Sequence, residues 1–191
     1  LDAFALDVTG RHALDAGAST GGFTDVLLRR GAAEVLAVDV GYGQLAWSIR
    51  SDPRVHVLER TNVRDLQPGS LPYQPDLVVG DLSFISLALV LAPLVSVSAP
   101  DADLVLMVKP QFEVGREQVG SGGVVRDPAL RSAAVRRIAD VAHALGLGTA
   151  GVVASPLPGP SGNVEYFLHL RRGAEPLTDE ALERAVAEGP Q

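Results

Sequence analysis

The chain has 191 residues, 47% of them hydrophobic, which suits one domain with a sizeable core and argues against disorder. It contains no cysteine, which excludes a disulfide framework, a thiolate nucleophile and a cysteine-ligated zinc. A net charge of −7 argues, taken alone, against a nucleic-acid partner.

In chain order, apolar β-rich runs alternate with helical patterns, the signature of a sheet built by right-handed crossovers. Strands are predicted over residues 12–15, 35–39, 55–59, 77–80, 104–108, 149–154 and 165–171. Helical spacing is predicted over 21–30, 44–51, 86–96 and 128–145, the last with Asp127 as cap and Pro128 at the first helical position. No crossover helix separates the final two runs. Their link, residues 155–163, carries three prolines and two glycines and lets the last strand run antiparallel. The expected fold is α/β, a seven-stranded, mostly parallel sheet with helices on both faces. Residues 1–172 are expected to form the domain and 173–191 an acidic tail with one weak helix after Thr178.

The longest apolar stretch, residues 85–97, is broken by Ser86, Pro93 and Ser96 and is too short to span a bilayer. No basic, apolar, small-residue signal opens the chain. A soluble, cytoplasmic protein is expected. His12, His56, His143 and His169 lack ligand spacing, so no metal is expected.

Lys109 is the only lysine among sixteen basic residues. It ends the run Leu104-Val105-Leu106-Met107-Val108 and precedes Pro110, which cannot continue the ladder of a central strand. The carboxyl ends of strands are where open α/β sheets bind ligands. A desolvated lysine can serve as a base, whereas arginine cannot release its proton. A lone lysine can also be drift in an arginine-rich composition. The negative charge is unevenly spread: from Lys109 to Arg137, Lys109, Arg116, Arg126, Arg131, Arg136 and Arg137 face only Glu113, Glu117 and Asp127. Such a zone can meet phosphate, with Arg116 and Arg126 as candidate contacts, although a solvated helix face explains Arg136 and Arg137 equally well.

The first strand turns into the first helix through Asp15-Ala16-Gly17-Ala18-Ser19-Thr20-Gly21-Gly22-Phe23. Glycines there admit a close ligand, and the helix start offers amide donors. Asp39 ends the second strand run, placed to accept from ribose hydroxyls of a nucleoside cofactor. The dinucleotide fingerprint G-x-G-x-x-G fails because Ser19 occupies its middle glycine position.

D-x-G-x-x-x-G-G instead resembles the first motif of class I S-adenosylmethionine-dependent methyltransferases, which implies a Rossmann-like fold. Thr61-Asn62-Val63, Asp81-Leu82-Ser83-Phe84 and Lys109-Pro110-Gln111-Phe112-Glu113 follow the third, fourth and fifth strands in the expected order. With Asp39-Val40-Gly41-Tyr42-Gly43-Gln44-Leu45-Ala46-Trp47 and residues 155–166, these strings resemble the TlyA family of bacterial ribosomal RNA ribose 2′-O-methyltransferases, called haemolysins in older usage, and more distantly the FtsJ family. The resemblance covers nearly the whole chain, weakening after Arg172.

The resemblance implies S-adenosylmethionine as cofactor, held by Asp15, Gly17, Ser19, Thr20, Gly21, Gly22, Phe23, Asp39, Val40, Asn62, Val63, Asp81 and Leu82. It implies ribosomal RNA or ribosomal subunits as partner, with cytidine the target. Of the family's lysine, aspartate, lysine, glutamate tetrad, Asp81, Lys109 and Glu165 match, with Lys109 as general base, Asp81 holding the amine and the hydroxyl, and Glu165 orienting Lys109. The tetrad's first lysine and the family's N-terminal RNA-binding domain have no counterpart, so a catalytic-domain fragment is expected. Alternatives are a nicotinamide-dependent oxidoreductase, favoured by the turn and Asp39, and a non-enzymatic haemolysin or RNA-binding module. An acidic chain without a strong cationic amphipathic helix gives membrane action little support.

Overall fold

Seven strands are hydrogen-bonded in the order β3-β2-β1-β4-β5-β7-β6, and the computed structural model describes residues 1–189. Two compact units divide the chain, Leu1–Leu82 with Val90–Val105, and Ser83–Leu89 with the residues from Leu106 on.

The first unit holds β1 (His12–Ala16), α1 (Gly22–Arg29), β2 (Glu34–Val38), α2 (Trp47–Arg50), β3 (Val55–Leu58), β4 (Leu77–Gly80), α3 (Leu91–Val97) and the opening half of β5 (Asp103–Val108). β1 pairs in parallel with β2 and β4, and β2 with β3. Every residue of β4 and β5 is buried, which explains why both read as continuous apolar runs rather than as alternation. Arg11 ties the amino ends of three strands: its guanidinium donates to the Asp76 carboxylate at 3.0 Å, to the Asp76 carbonyl, and to Asp103 Oδ2 at 3.0 Å.

The second unit continues from β5 through α4 (Pro110–Glu113), α5 (Pro128–Ala144), β6 (Gly148–Ala154), β7 (Tyr166–Arg171) and α6 (Asp179–Glu188). β7 runs antiparallel to β6, Gly148 opposite Arg171 and Ala154 opposite Tyr166, with a shift between Thr149 and Gly151. It runs antiparallel to β5 as well, and the other strand pairs are parallel. β6 is therefore an edge strand, and its residues after Gly148 are only partly covered. Asp127 caps α5 by accepting from Ala129 N at 2.8 Å, with Pro128 opening the helix. Thr178 caps α6, whose Leu182 and Ala185 are buried.

Two predicted helices are shorter than their patterns. The helix expected over 44–51 starts only at Trp47, since Ala46 N donates instead to the Thr20 carbonyl at 3.0 Å and keeps the preceding residues in a loop. The one expected over 86–96 divides at Val90 into the 3-10 turn Leu87–Leu89 and α3. Pro93 falls in the first turn of α3, where its missing N–H costs nothing.

Candidate functional site

In the first unit, Asp15 sits in β1, fully buried. Its Oδ2 accepts from the Thr24 hydroxyl at 2.7 Å, while Oδ1 has no hydrogen-bond partner among the described residues. Burial pushes the carboxyl up to about 6, with the nearby charges of Asp81 and Asp39 adding to the effect. The chain then turns at Gly17, φ 84°, where a side-chain carbon would lie 2.7 Å from the Asp81 carbonyl oxygen, so only glycine fits. Ser19 takes the left-handed conformation, φ 48°, and its N–H donates to Asp39 Oδ2 at 2.8 Å. Gly21, φ 101°, caps α1 against Leu45.

Asp39 lies just past β2 and also accepts from Gly41 N at 2.7 Å. Each carboxylate oxygen offers two acceptor positions, so Asp39 keeps capacity for a ligand hydroxyl. Ala18, Ser19, Leu45, Val57, Asp39 and Glu59 line a cleft with about 220 Å³ of empty space, partly open to solvent. The floor of Ala18, Leu45 and Val57 is apolar, and the carboxylates of Asp39 and Glu59 stand at its rim. Glu59 was not singled out by its sequence pattern; it accepts from Gly43 N at 2.8 Å and from Arg50.

The other cofactor candidates scatter around this turn. Thr20 and Gly22 are exposed, Phe23 is partly covered, and Val40 is 67% exposed. Asn62 accepts from Arg64 N at 3.0 Å and caps the turn Val63–Asp65, with Val63 buried. Asp81 follows β4 and donates its N–H to the Ala16 carbonyl at 3.1 Å; the methyl of Leu82 reaches toward Gly17.

In the second unit, Lys109 directly follows β5, capping α4, and is 7% exposed. Its Nζ donates to the Ser83 hydroxyl at 2.9 Å. Glu165 directly precedes β7 and is 5% exposed, and its Oε1 accepts from Gln111 Nε2 at 3.0 Å. The 155–163 loop lies on this carboxylate, since a side-chain carbon at Gly159 would sit 2.4 Å from Glu165 Oε1. Asn163 anchors that loop by accepting from Val125 N at 3.0 Å and donating to the Gly123 carbonyl at 2.9 Å. Lys109, Ser83, Gln111 and Glu165 are thus gathered in one unit, while Asp81 belongs to the other.

Ser83, Gln111, Glu113 and Phe84 escaped the sequence reading although all four lie inside quoted strings. Phe84 is 90% exposed in the left-handed conformation, φ 63°, its ring 5.2 Å from that of Phe112. A bulky residue is uncommon in that conformation, which persists only where its surroundings impose it. The basic zone is smaller than its composition implied. Arg131 is buried and donates to the Arg126 carbonyl at 3.2 Å, Arg136 is bound to Asp179 and the Leu177 carbonyl, and Arg137 donates to the Glu113 carbonyl at 2.8 Å. Arg116 and Arg126 remain exposed.

A Rossmann-like sheet whose last strand is inserted antiparallel, with a cleft after β1 and β2, has the architecture of the class I methyltransferases. The profile of the FtsJ-like methyltransferases matches residues 1–172. The chain is 62% identical over 195 aligned positions to the 16S/23S rRNA (cytidine-2′-O)-methyltransferase TlyA of Mycobacterium tuberculosis, covering 100% of this chain and 73% of that protein. It is 42% identical to the rRNA methyltransferase homologue YqxC of Bacillus subtilis, covering 98% of this chain and 69% of that protein. The crystal structure of a protein described as a hemolysin from Lactococcus lactis superposes with a TM-score of 0.94 at 41% identity, covering 98% of this chain and 91% of the other. The chain belongs to the FtsJ-like methyltransferase family, within the TlyA group. Family membership sets aside the nicotinamide alternative. Among the described residues no helix is long and apolar enough to cross a membrane.

Proposed function

We propose that this chain methylates the ribose 2′-hydroxyl of a cytidine in ribosomal RNA, with Lys109 as general base. The observation that carries the reading is the chain's single lysine, buried just past the end of β5 and hydrogen-bonded to Ser83. The substrate follows the activity named for the Mycobacterium tuberculosis relative. That relative is longer than the match, 73% of it being covered, which leaves room for the N-terminal RNA-binding domain implied by the family resemblance. Ribosomal subunits place the work in the cytoplasm.

When bound, the sulfonium cofactor supplies an electrophilic methyl group. Asp39 and Glu59 would accept from its ribose hydroxyls, and the turn from Asp15 through Phe23, with Val40, Asn62, Val63, Asp81 and Leu82, would hold the rest. A hydroxyl is a poor nucleophile until its proton is leaving, so a base within hydrogen-bond reach is required. Lys109 would take the proton that the 2′-hydroxyl gives up on methylation. Asp81 holds the attacking hydroxyl, Glu165 orients the amine, and Arg116 and Arg126 meet phosphates.

Calorimetric titration with S-adenosylmethionine and, separately, NAD tests the cofactor. Transfer of labelled methyl groups to ribosomal RNA, with the product nucleoside identified, tests the acceptor. Label appearing on a base rather than as 2′-O-methylcytidine overturns the reading.

A further inference from the structure

We propose that Glu113 is a positioning residue for methyl transfer, acting through the segment Ser83–Leu89 on the hydroxyl that holds the Lys109 amine. The inference rests on the reading of Lys109 as the base and adds to it two residues, Glu113 and Ser83, that the tetrad does not contain.

The Glu113 side chain is 1% exposed, yet it bears a carboxylate. A buried carboxylate is costly unless its lone pairs are satisfied. Here they are spent almost entirely on one short segment: Oε2 accepts from the Ser86 hydroxyl at 2.6 Å and Oε1 from Leu87 N at 2.8 Å. Ser86 Oγ is held in turn by Ala88 N at 3.2 Å, and Leu89 N closes the turn onto the Ser86 carbonyl at 3.1 Å. On its other side Glu113 meets α5, where Arg137 Nη1 donates to its carbonyl at 2.8 Å and lies 3.6 Å from Oε2.

Glu113 ends α4, the single helical turn that begins immediately after Lys109. One clamp therefore fixes both ends of the Lys109–Ser83 hydrogen bond: the amine through the rigid turn Pro110–Glu113, and the hydroxyl through the two residues, Phe84 and Ile85, that join Ser83 to Ser86. Between them Phe84 keeps its left-handed backbone, φ 63°, a conformation that persists only where the surroundings impose it. A loop carrying an exposed serine would otherwise sample many positions, and the amine would lose one of the contacts that direct it. A base must point at its proton in line with the methyl group, so loss of direction appears as lost rate rather than lost binding.

A double-mutant cycle in the full-length protein tests this, with single-turnover methyl transfer to ribosomal RNA, S-adenosylmethionine affinity and thermal unfolding read together. Glu113→Ala and Ser83→Ala should each slow methyl transfer by about 10-fold or more, the worth of a hydrogen bond to a charged group. Cofactor affinity should stay within about 2-fold, because the nucleoside cleft lies in the other unit. The double variant should be no slower than the slower single variant, since both act through one contact. Glu113→Gln, which can accept from Leu87 N and donate to Ser86, should recover most of the rate. Should Glu113→Ala fail to fold, Ser86→Ala removes one arm of the clamp and should show the same vanishing effect in the Ser83→Ala background. Losses that multiply, or a Glu113→Ala loss that tracks cofactor affinity, overturn the proposal. Lys109→Arg measured alongside keeps the two ideas apart: near-normal turnover there removes the base, whereas multiplying losses in the cycle remove the clamp.

Discussion

The backbone N–H of Ser19 and the carboxylate of Asp39 meet at 2.8 Å, joining the turn after β1 to the loop after β2. Gly41 N donates to the other oxygen at 2.7 Å, so Asp39 organises the cleft before any ligand arrives. Preorganisation of this kind lowers the ordering cost of binding. Asp39→Ala should therefore weaken S-adenosylmethionine binding by about 1.5–3 kcal/mol through the lost hydrogen bond to a charged acceptor, and loosen the turn besides. Asp39→Asn, which retains one carbonyl acceptor, should fall between. Calorimetry on the three proteins checks the order; unchanged affinity in Asp39→Ala removes Asp39 from the cofactor site.

Asp15 gives a pH dependence whose sign is fixed by its shift. Its carboxyl titrates at about 6 in the folded protein, raised by burial from the usual 3.8. The native state thus holds the proton more firmly than the unfolded chain. Its contribution to stability is complete below the unfolded value and is lost as pH rises through the folded one. Two units correspond to about 3 kcal/mol, of which roughly half is lost between pH 5 and 7.5. Asp15→Asn should flatten the urea-unfolding stability across that interval and raise it at pH 7.5, while weakening cofactor binding, a trade common at ligand sites. A variant whose stability falls with pH as steeply as the parent's would show that Asp15 is not the titrating group.

Some of this was legible in the chain and some was not, for identifiable reasons. β4 and β5 were legible because strands buried on both faces are uninterrupted apolar runs, and α5 because Asp127 and Pro128 mark its start. The place of β7 between β5 and β6 was not, since strand order depends on how the loop over residues 155–163 returns, and periodicity carries no such information. The tight turn after β1 and its tie to the loop after β2 were legible from Gly17 and Asp39, whose backbone and charge requirements are local. Glu113 was not, because its meaning lies in contacts with Ser86 and Leu87, 26 to 27 residues away. The basic zone was overcounted for the converse reason: Arg131, Arg136 and Arg137 carry charge in the sequence but spend it on internal acceptors in the fold.

Lys109→Arg retains a cation and much of the reach but cannot accept a proton. With the base removed, methyl transfer should fall by about 100-fold or more, the usual worth of general base catalysis, while cofactor and RNA still bind. Single-turnover transfer at saturating RNA isolates the chemical step. Near-normal turnover would leave Lys109 a positioning cation and shift the search for a base to Asp81 and Glu165.

The arginines divide into two groups that should behave oppositely. Arg116 and Arg126 are exposed, so each alanine replacement should weaken RNA binding, make its salt dependence shallower by about one unit of log–log slope, and leave folding and cofactor affinity nearly unchanged. Arg131 is 5% exposed, bound to the Arg126 carbonyl and set beside the Tyr166 hydroxyl, whose ionisation burial disfavours. Arg131→Ala should instead cost stability, on the order of 1–3 kcal/mol for the partners it abandons, with no direct change in salt slope. Binding measured from about 50 to 200 mM salt, beside urea unfolding of each variant, separates the groups. Identical slopes in the parent, Arg116→Ala and Arg126→Ala would move the phosphate-binding surface away from α5 and the residues before it. A shallower slope in Arg131→Ala alone would mean that its loss reorganises Arg126, whose carbonyl it holds.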